Sequence, residues 1–193
     1  FTLMNSLAAV TTAQVLGLSP EAIVKGCADL AQVAGRFESV QNEYGFGVVV
    51  DYAHTPDGLR SVLESARKIC TRRVIVVFGC GGDRDAGKRP QMGAVAQECA
   101  DVVVVTSDNP RSEDPTTIMN HILAGMNPDS QVRSIVDRAQ AIRYAISEAR
   151  SGDIVVIAGK GHEATQDIKG VKTPFSDVEQ ARSALATRKG DDK

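Results

Sequence analysis

The chain has 193 residues, with 22 Lys and Arg against 24 Asp and Glu and a formal net charge of -2 at pH 7. That length accommodates one main hydrophobic core with a small appendage, and the balanced charge gives no support for a nucleic-acid stripe or a polybasic membrane patch. Aromatic residues make up only 4 % and Trp is absent, which disfavours ring-built platforms for bases or sugars.

The opening segment, residues 1–34, predicts two amphipathic helices. An Ala-rich one lies near 3–16 and is stopped by Gly17; a second is started by Ser19, Pro20 and Glu21. The chain begins at Phe1, inside a helical pattern and without the succession of a signal peptide, as expected of a piece of a longer protein. From "RFESV" onward the pattern changes. Four apolar, β-branched runs, "GVVVDY", "RRVIVVFG", "ADVVVVTS" and "GDIVVIAG", read as strands, and helical patterns lie near 56–69, 90–99, 115–125 and 137–150. Strands without polar alternation need cover on both faces, so residues 35–193 predict an α/β, Rossmann-like, open and mostly parallel sheet with helices on both sides. Ligands of such a sheet gather at the carboxyl ends of its strands. The closing "RKGDDK" predicts a frayed tail.

Cys27, Cys70, Cys80 and Cys99 form no CxxC and have no paired histidines, so they read as free thiols in a reducing compartment rather than as metal ligands. No apolar run approaches the roughly 18 residues of a membrane span. The expectation is a cytoplasmic protein without nucleic-acid or membrane partners.

Four loops at strand ends carry unusual residues. In "DYAHTPDGL", Thr55 and Pro56 are explained by an ordinary helix start. Asp51 and His54 are not required by capping and are candidate nucleotide contacts. In "FGCGGDRDAGKRP", Gly82 to Lys88 matches most of a phosphate-binding loop, but Arg89 stands where Ser or Thr must reach Mg²⁺, and Asp83 and Asp85 would face the phosphates. The dinucleotide fingerprint fails too, since Arg84 occupies its third glycine position, leaving a nicotinamide-dependent reductase as a weak alternative. What survives is a glycine-rich turn with a cationic pocket of Arg84, Lys88 and Arg89.

In "SDNPRSEDP", Asn109-Pro110 turns the chain away from helix and displays Arg111, whose planar fork matches a carboxylate. Asp108 and Asn109 add acceptors for an ammonium group, so both signs of a zwitterionic amino acid are met; a plain turn and helix cap is the competing reading. In "AGKGHEATQ", glycines permit close backbone approach and Glu163 offers a second carboxylate. Lys160 and His162 raise the idea of a catalytic pair, although a solvated lysine in a Gly-Lys-Gly turn is the commoner arrangement. No H-x-E with a C-x-x-C partner supports a zinc deaminase.

Taken in order, "GRFE" at 35–38, "DYAHTPDGL", "GCGGDRDAGKRP", "DNPR" at 108–111 and "GKGHE" at 159–163 closely resemble the C-terminal part of a bacterial Mur ligase of the diaminopimelate-adding type. The resemblance covers essentially the whole chain. It implies that residues 1–34 are the helical end of the family's central ATPase domain and residues 35–193 its amino-acid-binding Rossmann-like domain. It further implies a role in peptidoglycan synthesis: ATP phosphorylates the terminal carboxylate of a UDP-N-acetylmuramoyl dipeptide, and the incoming amine attacks the acyl phosphate. By position, Arg84, Asp108, Asn109, Pro110, Arg111, Gly159 and Glu163 resemble the meso-diaminopimelate site, and Arg111 separates this type from lysine-adding relatives. Arg36, Asp51 and His54 resemble ATP contacts. The family's phosphate-binding loop and Mg²⁺ ligands match nothing here, so the resemblance assigns ATP and Mg²⁺ mainly to the neighbouring domains and implies an inactive isolated segment with no catalytic or metal-binding residue. A lysine-adding or folate-type relative and a non-catalytic nucleotide-binding module are the alternatives.

Overall fold

A computed structural model of the chain describes residues 2–29, 32–128, 130 and 132–188. Its residues divide into two compact units, 1–32 and 33–193. The first holds α1 (Thr2–Val15) and α2 (Pro20–Ala28), the latter opened by Pro20 and capped where Ser19 Oγ accepts from the Ala22 N–H at 3.2 Å. None of the side chains described in this unit is buried; Met4, Leu7, Val15, Leu16 and Val24 are all exposed.

The second unit is built on a sheet of β1 (Glu38–Ser39), β2 (Gly47–Asp51), β3 (Val74–Phe78), β4 (Val102–Thr106), β5 (Val132–Ile135) and β6 (Ile154–Ala158). Their spatial order is β1-β2-β6-β3-β4-β5, parallel throughout except for the antiparallel edge strand β1. The helices are α3 (Pro56–Ile69), α4 (Lys88–Cys99), α5 (Pro115–Leu123), α6 (Arg138–Glu148) and α7 (Asp177–Thr187), and β7 (Thr165–Ile168) and β8 (Val171–Pro174) form a separate antiparallel hairpin.

The pleat explains why the central strands have no polar positions. Val74, Val76 and Phe78 of β3 pack with Leu59, Leu63, Met92, Ile118 and Ile122 of α3, α4 and α5, while Ile75 and Val77 pack with Ile142, Ile146, Val178 and Leu185 of α6 and α7. Successive side chains point to opposite faces, and both faces are covered. Because β6 returns between β2 and β3, the loops after β2, β3, β4 and β6 converge at one carboxyl edge.

The expected strands and helices are present, and Thr55 caps α3 as predicted, accepting from Gly58 N–H at 3.2 Å. The sequence reading omitted β1, β5, the β7–β8 hairpin and α7. β5 is an edge strand whose Arg133 and Ser134 are exposed, so it lacks an apolar run, and α7 buries mainly small residues, Ala181 and Ala184, beside Val178 and Leu185. Arg188, the first residue of the expected tail, is held in place. Arg188 lies over the Tyr44 and Phe46 rings at 5.3 and 4.8 Å and donates to the Ile146 and Ala149 carbonyls; the rest of the expected frayed tail, 189–193, lies outside the described residues. All four cysteines are free, and burial pushes the Cys80 thiol up to about 12. Among the described residues no helix is long and apolar enough to cross a membrane.

Candidate functional site

The site is organised by the loop after β4. Ser107, Asp108, Asn109 and Pro110 are all buried, although three of them are polar. Buried polar groups require partners, and both polar atoms of the Asn109 side chain have them: its Oδ1 accepts from Lys160 Nζ and the Asp167 N–H, both at 3.0 Å, and its Nδ2 donates to Glu163 Oε2 at 2.8 Å. Two donors on one atom identify it as the oxygen. The Asn109 carboxamide therefore orients Glu163 instead of lying free for an ammonium group, as the sequence reading expected.

Arg111 is half-buried and held at φ +51°, a left-handed conformation that side chains other than glycine rarely adopt. Three contacts impose it: its N–H donates to the Asp167 carbonyl at 3.0 Å, its carbonyl accepts from the Lys169 N–H at 2.6 Å, and its Nη1 donates to the Gly82 carbonyl at 2.7 Å. The β7–β8 hairpin thus stitches the Arg111 backbone in place through a bridge to Ile168. Its Nε and Nη2 have no partner among the described residues. Arg111 is half-buried rather than fully displayed, and the hairpin as well as the turn sets its position.

The glycine-rich turn after β3 packs directly on this loop. A Cβ on Gly82 would lie 2.0 Å from the Pro110 carbonyl oxygen, so only glycine fits. Asp83 locks the same junction, its carboxylate accepting from Ser112 Oγ at 2.5 Å and Ser112 N–H at 3.1 Å, and its own N–H donating to Glu113 Oε1 at 2.6 Å.

The predicted cationic pocket does not form. Arg89 is buried in a bidentate pair with Glu113 at 2.7 and 2.9 Å, with His121 Nδ1 a further 3.0 Å neighbour, and Lys88 Nζ donates to the His54 carbonyl at 2.7 Å. The Arg89 hydrogen bond, helped by the Asp83 N–H, holds the Glu113 carboxyl down to about 2. Of the three only Arg84 remains exposed, and its side chain hydrogen-bonds only the Asp83 carbonyl among the described residues.

The loop after β6 completes the group. Gly159 sits at φ +120°, and a Cβ there would come within 2.6 Å of Asp108 Oδ2. Asp108 is buried, and its carboxylate has no hydrogen-bond partner among the described residues; burial pushes its pKa up, against the pull of Arg138 and Lys160. Lys160 is not the solvated lysine that the motif predicted. Its side chain is 0 % exposed, with Nζ between Asn109 Oδ1 and Glu163 Oε2, the latter at 2.9 Å. Burial pushes Glu163 upward, but the bonds from Lys160 and Asn109 outweigh it and leave the carboxyl below its usual range. Lys160 and His162 form no pair, since His162 is exposed and lies 5.5 Å from the Tyr52 ring.

Beneath this edge lies a pair that no motif announced. Arg138 and Asp177 are both fully buried, joined at 2.7 Å through Nε and again at 2.7 Å through Nη2. The same guanidinium donates to the carbonyls of Ser107, after β4, and Ala158, at the end of β6, at 3.3 and 3.0 Å. It ties the two site loops together. The signal was a charged residue at the start of each of two helices, which surface helices also show.

Arg36, Asp51 and His54 lie at the far side of the edge. Arg36 stacks over the Tyr52 ring at 5.1 Å, and His54 meets the same ring edge-on at 4.6 Å. Asp51 accepts from the Phe37 N–H at 2.7 Å and the Ala53 N–H at 2.8 Å, so both oxygens hold neighbouring loops. Around Tyr52 the exposed Arg36, His54 and His162 combine a guanidinium with aromatic faces, chemistry suited to a nucleotide's base and phosphates. Among the described residues no cluster of three or more His, Cys, Asp or Glu is placed to hold a metal ion.

A family model described as "Mur ligase, glutamate ligase domain" matches residues 35–161. Over 183 residues the chain is 55 % identical to UDP-N-acetylmuramoyl-L-alanyl-D-glutamate--2,6-diaminopimelate ligase of Solibacter usitatus (strain Ellin6076), covering 94 % of this chain and 37 % of that protein. The protein of the same name from Gloeobacter violaceus (strain ATCC 29082 / PCC 7421) is 52 % identical over 190 residues, covering 98 % and 39 %. A solved structure of a UDP-N-acetylmuramoyl-L-alanyl-D-glutamate--2,6-diaminopimelate ligase is similar at TM-score 0.76 and 42 % identity, over 96 % of this chain and 38 % of that one. E. coli FolC in complex with ADP matches at TM-score 0.64 and 24 % identity, over 82 % and 36 %, a likeness of fold alone. The chain spans less than two fifths of the length of these curated relatives.

Proposed function

The chain belongs to the Mur ligase family, and from that premise we propose that it is the amino-acid-binding part of an ATP-dependent ligase that adds meso-2,6-diaminopimelate to UDP-N-acetylmuramoyl-L-alanyl-D-glutamate in peptidoglycan synthesis. Residues 35–193 are the amino-acid domain and residues 1–34 the helical end of a central ATPase domain. The family match beginning at residue 35 supports that division. The protein works in the cytoplasm, where the nucleotide-linked substrate and ATP are available.

One observation carries the reading. The half-buried Arg111 keeps Nε and Nη2 uncommitted, while the buried Asp108 and the partly exposed Glu163 lie on adjoining loops of the same edge. A guanidinium opposite two carboxylates meets both signs of an amino acid that bears an extra carboxylate. Arg111 takes the far carboxylate, Asp108 and Glu163 the neighbouring ammonium, and Arg84 adds positive charge at the rim. Gly159 keeps space beside Asp108, while Asn109 and Pro110 shape the loop that carries them.

In the reaction, the dipeptide's terminal carboxylate oxygen attacks the γ-phosphorus of ATP and ADP departs. The diaminopimelate nitrogen then attacks the acyl carbon, forming the amide as inorganic phosphate leaves and the amine gives up a proton. This chain's part is to fix the amine's position by gripping the other end of the amino acid, which contributes through orientation. Arg36 and His54 approach the nucleotide, with Asp51 holding their loops. Mg²⁺ and the phosphate-binding loop belong to the rest of the protein, so the isolated chain releases no ADP in response to diaminopimelate.

The test is an NMR titration of the chain with meso-diaminopimelate, L-lysine and ATP, repeated on Arg111→Gly, which suits φ +51° and removes the whole side chain, its bond to the Gly82 carbonyl included. Diaminopimelate should shift the amides of 108–111 and 159–163, and the variant should bind about ten- to a hundredfold more weakly, the loss of a charge-assisted contact. Equal response to lysine would sink Arg111 as the selector. Response to ATP alone would favour a nucleotide-binding module.

A further inference from the structure

Lys160 is the most deeply buried cation at the mouth of the site, and the assignments above give it no role. A lysine side chain is seldom fully buried, because removing the ammonium from water is costly unless acceptors replace the solvent. Here the replacement is specific. Its Nζ bridges two side chains from different loops, Asn109 Oδ1 at 3.0 Å and Glu163 Oε2 at 2.9 Å. Asn109 Nδ2 closes the triangle onto the same Glu163 oxygen at 2.8 Å. Both donors therefore engage Oε2, and Oε1 is left without a partner among the described residues.

We propose that Lys160 is a positioning residue of the amino-acid site, whose buried ammonium holds the Glu163 carboxylate ionised and in one orientation, with Oε2 turned into the protein and Oε1 available to the substrate's ammonium group. The proposal rests on the amino-acid-binding reading and deepens it. The charged groups acting on Glu163 come from three places: Lys160 on its own loop, Asp108 and Arg111 after β4, and Arg138 at the start of α6. Asp108 opposes its ionisation and the three cations favour it. Lys160 alone among the cations hydrogen-bonds it, so deleting Lys160 leaves a partly buried carboxylate facing Asp108 with its main support gone.

The sign follows. With Lys160 in place the Glu163 carboxyl titrates below its usual range, so its charge persists throughout the neutral and mildly acid region. Without Lys160 burial prevails, the pKa rises, and the charge is lost as pH falls through the raised value.

The experiment uses the 193-residue chain with ¹³C-labelled glutamate, as wild type and as Lys160→Met, a substitution of similar length. The Glu163 side-chain carbonyl is titrated by NMR, and meso-diaminopimelate affinity is measured from pH 8 to about pH 5.5. The proposal expects the Glu163 midpoint to move upward in the variant. It also expects affinity about tenfold weaker at pH 8 that falls further with acidification, against a flat wild-type profile. An unchanged midpoint together with an unchanged affinity in a folded variant overturns it.

If Lys160→Met does not fold, the wild type still decides. A slowly exchanging, protonated Lys160 Nζ whose signal responds to diaminopimelate supports the proposal, and a Nζ that is neutral at pH 8, or indifferent to ligand that shifts Glu163, refutes it. The carboxylate titration needs no ligand. A raised midpoint in a chain that binds no diaminopimelate therefore overturns the substrate role assigned to Glu163 while leaving the Lys160–Glu163 coupling established.

Discussion

The Arg138–Asp177 pair is the most consequential contact to break. Both side chains are 0 % exposed, and Arg138 makes four hydrogen bonds, two to Asp177 and two to the carbonyls of Ser107 and Ala158. Removing one partner of a buried pair strands the other charge, at a cost of about 3–5 kcal/mol. Asp177→Asn falls in the lower half of that range, because the amide oxygen still accepts from Arg138 and the nearby Asp108 compensates part of the charge. Arg138→Met falls above it, since two loop carbonyls lose their donor at roughly 1 kcal/mol each and the Asp177 carboxylate is left alone. At about 2–4 °C per kcal/mol for a domain of this size, Asp177→Asn lowers Tm by roughly 6–16 °C and Arg138→Met by more. Urea unfolding followed by circular dichroism reads both values. A loss below about 1 kcal/mol for Asp177→Asn, or Arg138→Met no worse than Asp177→Asn, would show that the pair does not support the site loops in the manner argued.

Two further outcomes follow from the same edge. Glu113, held at about 2 by Arg89 against an ordinary 4.5, has a depressed folded pKa, so its contribution is present above the unfolded value and lost as pH falls toward 2. Glu113→Gln is therefore less stable than wild type at pH 7, and the gap between their urea midpoints narrows between about pH 5 and pH 2; a constant gap contradicts the coupling. Gly159→Ala forces a side chain into φ +120° and a 2.6 Å approach to Asp108 Oδ2, costing about 1–3 kcal/mol of backbone strain and displacing that carboxylate. Thermal melting and the diaminopimelate titration should both register it, whereas a variant with native melting and native binding would mean the loop yields freely.

The sequence by itself determined the frame and the location of the chemistry. Runs such as Val102–Val105 without polar alternation can be satisfied only in a sheet covered on both faces, and such a sheet places its loops, with Asp108, Arg111, Gly159 and Glu163, at one carboxyl edge. Local rules reach that far because a strand's period and a helix cap such as Thr55 depend on neighbours within a few residues. Tertiary structure decided which of the charged residues are free. From their loops Arg89 read as part of a cationic pocket and Lys160 as a solvated turn lysine, but the first is buried against Glu113, 24 residues on in the chain, and the second is buried between Glu163 of its own loop and Asn109, 51 residues back. The hairpin that imposes the left-handed Arg111, and the Arg138–Asp177 pair that joins the ends of β4 and β6, are likewise partnerships between distant segments. Burial raises the cost of any unpaired ion and so selects whichever opposite charge the packed chain brings within reach, three residues away for Lys160 and 39 for Arg138.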